Sequence, residues 1–150
     1  MLRYTKVVTK RITTTDYRAL AALRHRIRLF LSEGDEAARR AGLEPQQYLL
    51  LLAVRGLPEG AQATVQTLAE RLMLKHNSTV ELINRLQTRG YVSRSHSPTD
   101  RRCVLVRLLP RGEKLVERVA RERLTELRAG GEALADALDT LLERNRNQQE

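Results

Sequence analysis

Residues 64–109 constrain the fold most tightly. A short amphipathic segment, TVQTLAERLM, runs into a tight turn, and a second segment, NSTVELINRLQTRG, follows it directly. Next comes a stretch whose tip reads HSPTDRR, flanked by residues suited to two short strands. Two helices joined by a short turn, the second polar on its outer face, are a means of placing side chains in a DNA major groove. A basic hairpin immediately after them forms a wing able to reach the sugar–phosphate backbone or the adjacent minor groove. The formal charge of +9, from 27 Lys+Arg against 18 Asp+Glu, agrees with an anionic partner.

The rest of the composition narrows the class. At 150 residues and 41% hydrophobic content the chain is read as one domain with a substantial core. Basic residues are interspersed with acids along its length, unlike a disordered basic tail. No apolar run approaches the roughly 18 residues of a membrane-spanning helix. The first residues, MLRYTKVVTKRITTTDY, lack the apolar core of a secretory signal, and Cys103 is the single cysteine. The expected location is therefore the reducing cytoplasm. Aromatic residues make up 3% of the chain, too few for a platform that stacks single-stranded bases.

Hydrophobic spacing and breakers give the organisation. Residues 1–15 read as a basic, threonine-rich arm. Thr15 or Asp16 is expected to cap a first helix running to about Ser32, with Gly34 and Asp35 breaking it before a short helix, EAARRAG, that stops at Gly42. Pro45 opens the next helix, PQQYLLLLAVRG, whose nearly continuous apolar run from Tyr48 to Val54 places it centrally. In the helix–turn–helix, Val65, Leu68, Ala69 and Leu72 face inward from the first helix, and Thr79, Val80, Ile83 and Leu86 from the second. Asn77, Ser78, Glu81, Asn84, Arg85 and Thr88 face outward. Gly90 ends that helix, Tyr91-Val92 and Cys103 to Leu109 are strand-like, and Pro98 and Asp100 mark the turn between them. Pro110 starts a long helix to about Arg128; after Gly130-Gly131 a last helix carries Leu134, Leu138, Leu141 and Leu142, and the tail NRNQQE is expected to fray. The expected class is mainly α with a small β-hairpin wing.

The stretch LAERLMLKHNSTVELINRLQTRGYVSRSHSPTDRRCVLVRLLPRGEKL resembles the MarR family of bacterial transcriptional regulators. The likeness lies in the order and spacing of LAERL, NRLQTRGYV, DRR and LPRGEKL, and the flanking helices extend it over nearly the whole chain. It implies a homodimeric winged helix-turn-helix protein on a pseudo-palindromic operator, in many members a repressor released by a small aromatic or phenolic acid. On that basis residues 45–111 form the DNA-binding region of a single 1–150 domain, and 16–33 and 112–146 the dimerisation helices. Two positions depart from the family pattern. Leu109 stands where a threonine or serine usually caps the helix after the wing, and the peroxide-sensing branch's cysteine near the N-terminal helices is absent.

The residues suggest the following site. Ser78, Asn84 and Arg85 are candidates for base contacts, since arginine pairs bidentately with guanine and asparagine with adenine. Asn77 is expected to cap the recognition helix near a phosphate, Lys75 and His76 to meet phosphates, and Thr88 to extend the same face. In the wing, Asp100 two residues before Arg102 is expected to pin its guanidinium, with Arg101 beside it; the resemblance implies that Arg102 enters a minor groove. Cys103, flanked by these cations, is a candidate redox thiol, the alternative being a small strand residue. Leu20, Leu23, Ile27, Phe30, Leu134, Leu138 and Leu141 form apolar stripes suited to a two-fold dimer. Tyr17, Arg24, His25 and Arg28 on the first helix are candidates for an anionic aromatic ligand. The three histidines have no metal-ligand spacing, and no nucleophile elbow, phosphate loop or dinucleotide fingerprint occurs, so neither cofactor, metal nor enzymatic activity is expected. The leading expectation is a sequence-specific double-stranded-DNA regulator. The alternatives are a sequence-tolerant architectural DNA binder, a redox-sensing regulator through Cys103, and a protein-interaction winged helix.

Overall fold

The computed structural model describes residues 11–146. Along the chain these form α1 (Thr14–Arg40), α2 (Pro45–Arg55), α3 (Val65–Leu72), α4 (His76–Thr88), β1 (Val92–His96), β2 (Val104–Leu108), α5 (Pro110–Gly130) and α6 (Glu132–Arg146). They fall into two compact units, one made of the residues up to Leu31 with those from Arg128 onward, the other of Ser32–Leu127. The basic arm and the tail lie largely outside the described residues.

The unit Ser32–Leu127 holds the core. Leu50 and Leu51 of α2, Leu68 of α3, and Ile83 and Leu86 of α4 are fully buried, together with Val92 of β1 and, at 1–3% exposure, Val116 and Val119 of α5 and Val106 of β2. Burying each large aliphatic side chain contributes about 1.5–3 kcal/mol, so three short helices and a hairpin suffice to order one another. The expected central role of α2 holds in part. Tyr48, Leu50 and Leu51 are buried, whereas Leu49 and Leu52 are exposed, because an α-helix turns about 100° per residue and cannot bury a continuous run on one side.

β1 and β2 pair antiparallel, Val92 opposite Leu108 through His96 opposite Val104. A single bridge, Thr64 to Leu105, adds the residues before α3 to the free edge of β2, and Val106 N–H donates to the Ala63 carbonyl at 2.9 Å. The wing is thereby fixed to the start of the helix–turn–helix.

Helix ends explain several departures from the sequence reading. α1 is capped at Thr13, two or three residues earlier than expected: Asp16 N–H donates to Thr13 Oγ1 at 3.2 Å, and Thr13 N–H donates to Asp16 Oδ2 at 2.9 Å. It also does not break at Gly34-Asp35. A single helical glycine costs about 1 kcal/mol, which good helix formers on either side absorb. Packing does not require the glycine, because a Cβ there would meet only the Arg123 side chain, at 3.4 Å from Nε. The helix ends at Gly42, which adopts φ +81° while Leu43 N–H returns to the Ala38 carbonyl at 2.9 Å. Gly112, in the first turn of α5, is needed for close approach, since a Cβ there would sit 2.2 Å from the Tyr91 carbonyl oxygen. Leu109 occupies the cap position of α5, and its carbonyl accepts from Glu113 N–H at 2.9 Å.

In the other unit, the α1 stripe and α6 leave apolar surface open: Leu20, Ile27 and Leu138 are 58%, 42% and 46% exposed. Leu23, Phe30, Leu134 and Leu141 on the same helices are half-buried. Among the described residues no helix is long and apolar enough to cross a membrane, and no group of three or more His, Cys, Asp and Glu is placed to hold a metal ion.

Candidate nucleic-acid interface

The turn between α3 and α4 sets the geometry. Thr64 caps α3, its Oγ1 accepting from Thr67 N–H at 3.1 Å. Met73 ends it in the left-handed region, φ 53° and ψ 42°, and Leu74 N–H folds back to the Ala69 carbonyl at 3.0 Å. This places Lys75, rather than Asn77, at the N-cap of α4: the Lys75 carbonyl already accepts from Thr79 N–H and from Thr79 Oγ1, both at 3.0 Å. Asn77 lies inside the first turn and caps nothing. The reason is local, since the left-handed residue reverses the chain so sharply that helical hydrogen bonding resumes two residues later.

Thr79, Leu82, Ile83 and Leu86 anchor α4 in the core. Leu82 takes a buried place that the sequence reading gave to Val80, which is only half-buried. On the opposite side, Lys75, His76, Asn77, Ser78, Glu81, Asn84, Arg85 and Thr88 are all exposed. The Thr88 hydroxyl donates to the Asn84 backbone carbonyl at 3.0 Å, a bond in which the exposed Asn84 side chain takes no part. Arg85 forms no ion pair among the described residues and borders a cleft of about 430 Å³ with Glu44, Pro45, Gln46, Gln47 and Leu82. An exposed helix face with two amides and an unpaired guanidinium has the hydrogen-bonding groups that base edges require.

The far end of α4 is closed by Gly90 at φ +77°. Its N–H reaches the Gln87 carbonyl, and Tyr91 N–H reaches the Leu86 carbonyl, both at 3.0 Å. Two arginines that the sequence reading did not single out fix this end. Arg94 Nε on β1 donates to Gln87 Oε1 at 2.9 Å; Arg89 donates to Gln47 Oε1 at 3.1 Å and to the Gly42 carbonyl at 3.0 Å. Glutamine 47 is buried, and its Oε1 also accepts from Glu44 N–H at 3.0 Å. Gln47 precedes the apolar run of α2, and no sequence pattern marked it as buried.

At the wing tip, Cys103 N–H donates to the Asp100 carbonyl at 3.0 Å, so Asp100–Cys103 form a β-turn with Arg101 and Arg102 at its two central, exposed positions. The Asp100 carboxylate does not pin the Arg102 guanidinium. Its Oδ1 accepts from the Arg102 backbone N–H at 3.0 Å, an Asx-turn, because the short aspartate side chain reaches its neighbour's amide more readily than a long arginine folds back. His96 Nδ1 lies 3.0 Å from the Arg101 carbonyl, and Ser97 N–H donates to the Cys103 carbonyl at 2.9 Å. The polar group hydrogen-bonded to Cys103 Sγ is the Asp100 carboxylate, at 3.8 Å, not an arginine side chain. The backbone thus orders the turn and leaves both guanidinium groups without an ion pair among the described residues.

Tyr17, Arg24, His25 and Arg28 are all exposed on α1.

Comparison with known proteins agrees with this architecture. Residues 41–102 match the MarR family. An uncharacterised HTH-type transcriptional regulator of Bacillus subtilis, YsmB, is 29% identical over 124 residues, covering 83% of either chain. Sco3205, a MarR family transcriptional regulator from Streptomyces coelicolor solved in complex with DNA, superposes with a TM-score of 0.68 at 20% identity, covering 97% of this chain and 92% of that one. CouR from Rhodococcus jostii, solved bound to p-coumaroyl-CoA, superposes with a TM-score of 0.64 at 23% identity over 85% of both chains. With the helix–turn–helix and wing in place and the family match lying across them, the chain is similar to the MarR family over residues 41–102 and shares the winged helix-turn-helix fold of MarR family structures over most of its length.

Proposed function

We propose that the protein is a sequence-specific regulator that binds a pseudo-palindromic operator as a homodimer, with α4 in the major groove and the wing beside it. The observation that carries this reading is the outer face of α4, where Ser78, Asn84 and Arg85 are exposed on a helix whose other side is locked in the core. Arg85 would contact guanine and Asn84 adenine, Lys75, His76 and the α4 N-terminus near Asn77 would meet phosphates, and Thr88 would extend the contact. Arg101 and Arg102, presented on a backbone-ordered turn, suit insertion into a narrow minor groove. The same fold solved with DNA in Sco3205 supports this docking.

A second copy of the chain would cover the apolar positions Leu20, Leu23, Ile27 and Phe30 of α1 and Leu134, Leu138 and Leu141 of α6. Several are substantially exposed in the single chain, and a two-fold dimer hides such surface while presenting two recognition helices about one DNA turn apart. Repression relieved by a small aromatic acid is the finer part of the proposal. The p-coumaroyl-CoA complex of CouR supports it, and Tyr17, Arg24, His25 and Arg28 are the residues assigned to it.

The deciding experiment is selection of the purified protein on random duplex DNA, followed by affinity against salt. An enriched inverted repeat with half-site centres about 10 bp apart is the expected result. Salt-sensitive binding without an enriched sequence would establish an architectural binder instead.

A further inference from the structure

The end of α4 and the start of α5 build a second cationic site. Arg111, Lys114 and Arg118 lie at i, i+3 and i+7 on α5, one face of that helix, and with Tyr91 and Leu115 they line a cleft of about 310 Å³. Tyr91 is 9% exposed and carries two guanidinium groups against its ring, Arg89 at 5.0 Å and Arg111 at 5.2 Å from the centroid. Arg89, which stacks on the Tyr91 ring, is itself held by Gln47 and the Gly42 carbonyl. Arg111 reaches over the end of α4, its Nη1 3.2 Å from where a Gly90 Cβ would stand.

The charges here are uncompensated. The α5 carboxylates nearest in sequence are engaged elsewhere, Glu113 with Arg55 at 3.3 Å and Glu117 with Arg121 at 2.6 Å. Among the described residues none of Arg89, Arg111, Lys114 and Arg118 forms an ion pair. Like charges three and four residues apart repel, and the positive end of the α5 dipole adds to the same field. A bound anion relieves that repulsion. The floor of the cleft, an aromatic ring and a leucine, suits an apolar group attached to the anion.

We propose that this cleft binds a small organic phosphate, a phosphomonoester carrying an aromatic or aliphatic group. Arg111, Lys114 and Arg118 hold the phosphoryl oxygens, and Tyr91 and Leu115 contact the organic part. The site shares no residue with the α1 positions assigned to an effector above and does not depend on how the protein reads DNA.

The test uses the full-length protein without DNA, titrated with phenyl phosphate at constant ionic strength. Binding is followed by calorimetry and by the NMR signals of the Tyr91 ring and the Arg111 Nε–H, with phenol as the uncharged control. Saturable binding with a Kd of about 1 mM or tighter is expected, with shifts at both reporters and none from phenol. The double variant Lys114→Gln, Arg118→Gln alters two exposed side chains and is expected to fold normally while binding about tenfold or more weakly. No saturable binding by the wild type, or equal binding by the variant, overturns the proposal. A variant that instead lowers the salt slope for duplex DNA, in a protein that ignores phenyl phosphate, also overturns it and makes the cleft a backbone-phosphate contact.

Discussion

Arg89, the residue that caps the C-terminus of α4, donates through Nη1 to Oε1 of the buried Gln47 in the first turn of α2, 42 residues earlier, at 3.1 Å. The same oxygen accepts from Glu44 N–H. One buried carbonyl therefore couples the start of a core helix to the end of the recognition helix. Gln47→Leu preserves volume but leaves the Glu44 N–H and an Arg89 N–H without this partner. A loss of about 1–3 kcal/mol in chemical denaturation is expected, with Arg89→Ala costing a similar amount and the double variant less than the sum. Additive losses would show that the two side chains do not act together.

Two helical glycines should respond in opposite directions to alanine. Gly34→Ala places a methyl 3.4 Å from the Arg123 Nε, the end of a flexible side chain, and removes a mid-helix glycine. A gain of about 0.5–1 kcal/mol is expected. Gly112→Ala drives a methyl to 2.2 Å from the Tyr91 carbonyl oxygen, where only backbone movement can make room. A loss of about 3 kcal/mol or more is expected, measured by the same denaturation.

Met73 is 91% exposed and holds a left-handed conformation that disfavours any side chain with a Cβ. Met73→Gly gives up almost no burial. It should stabilise the protein by about 0.5–1 kcal/mol, the relief of strain exceeding the extra entropy of glycine in the unfolded chain. Unchanged or reduced thermal stability would mean that the thioether makes an unrecognised contribution.

Burial raises the pKa of Tyr48 above its ordinary value near 10, and the positive charge of Arg123 only partly opposes the shift. The folded state therefore keeps the phenolic proton after the unfolded chain has lost it. The stability this contributes is complete below about pH 10 and is lost as pH rises through the higher folded-state pKa. Thermal unfolding followed from pH 8 to about pH 11 should decline less steeply in Tyr48→Phe than in the wild type.

The wing distinguishes two roles for Asp100. If its carboxylate orders the backbone through the Arg102 N–H, Asp100→Asn keeps that acceptor and removes a negative charge from the tip of the wing. It should bind duplex DNA as well as the wild type or better, whereas Asp100→Ala should bind about fivefold more weakly. Equal losses in both variants would restore a role for ion pairing to the Arg102 guanidinium.

The positions of Leu68, Ile83 and Leu86, the outward set Asn84, Arg85 and Thr88, and the stops at Gly42 and Gly90 were legible in the sequence. Each depends on helical periodicity or on the left-handed freedom of glycine, and both are local properties of the chain. Periodicity and turn signals therefore determined the helix–turn–helix and its hairpin. Only the tertiary structure decided that α1 continues through Gly34, where Arg123 of α5 packs; that Met73 rather than a glycine takes the left-handed turn, so α4 begins before Asn77; and that Asp100 grips a backbone amide. It also brought Gln47 to Arg89, and Arg89 and Arg111 to Tyr91. These depend on groups far apart in sequence, or on a choice between two nearby hydrogen-bond donors, and residue spacing along the chain does not encode which contact packing will favour.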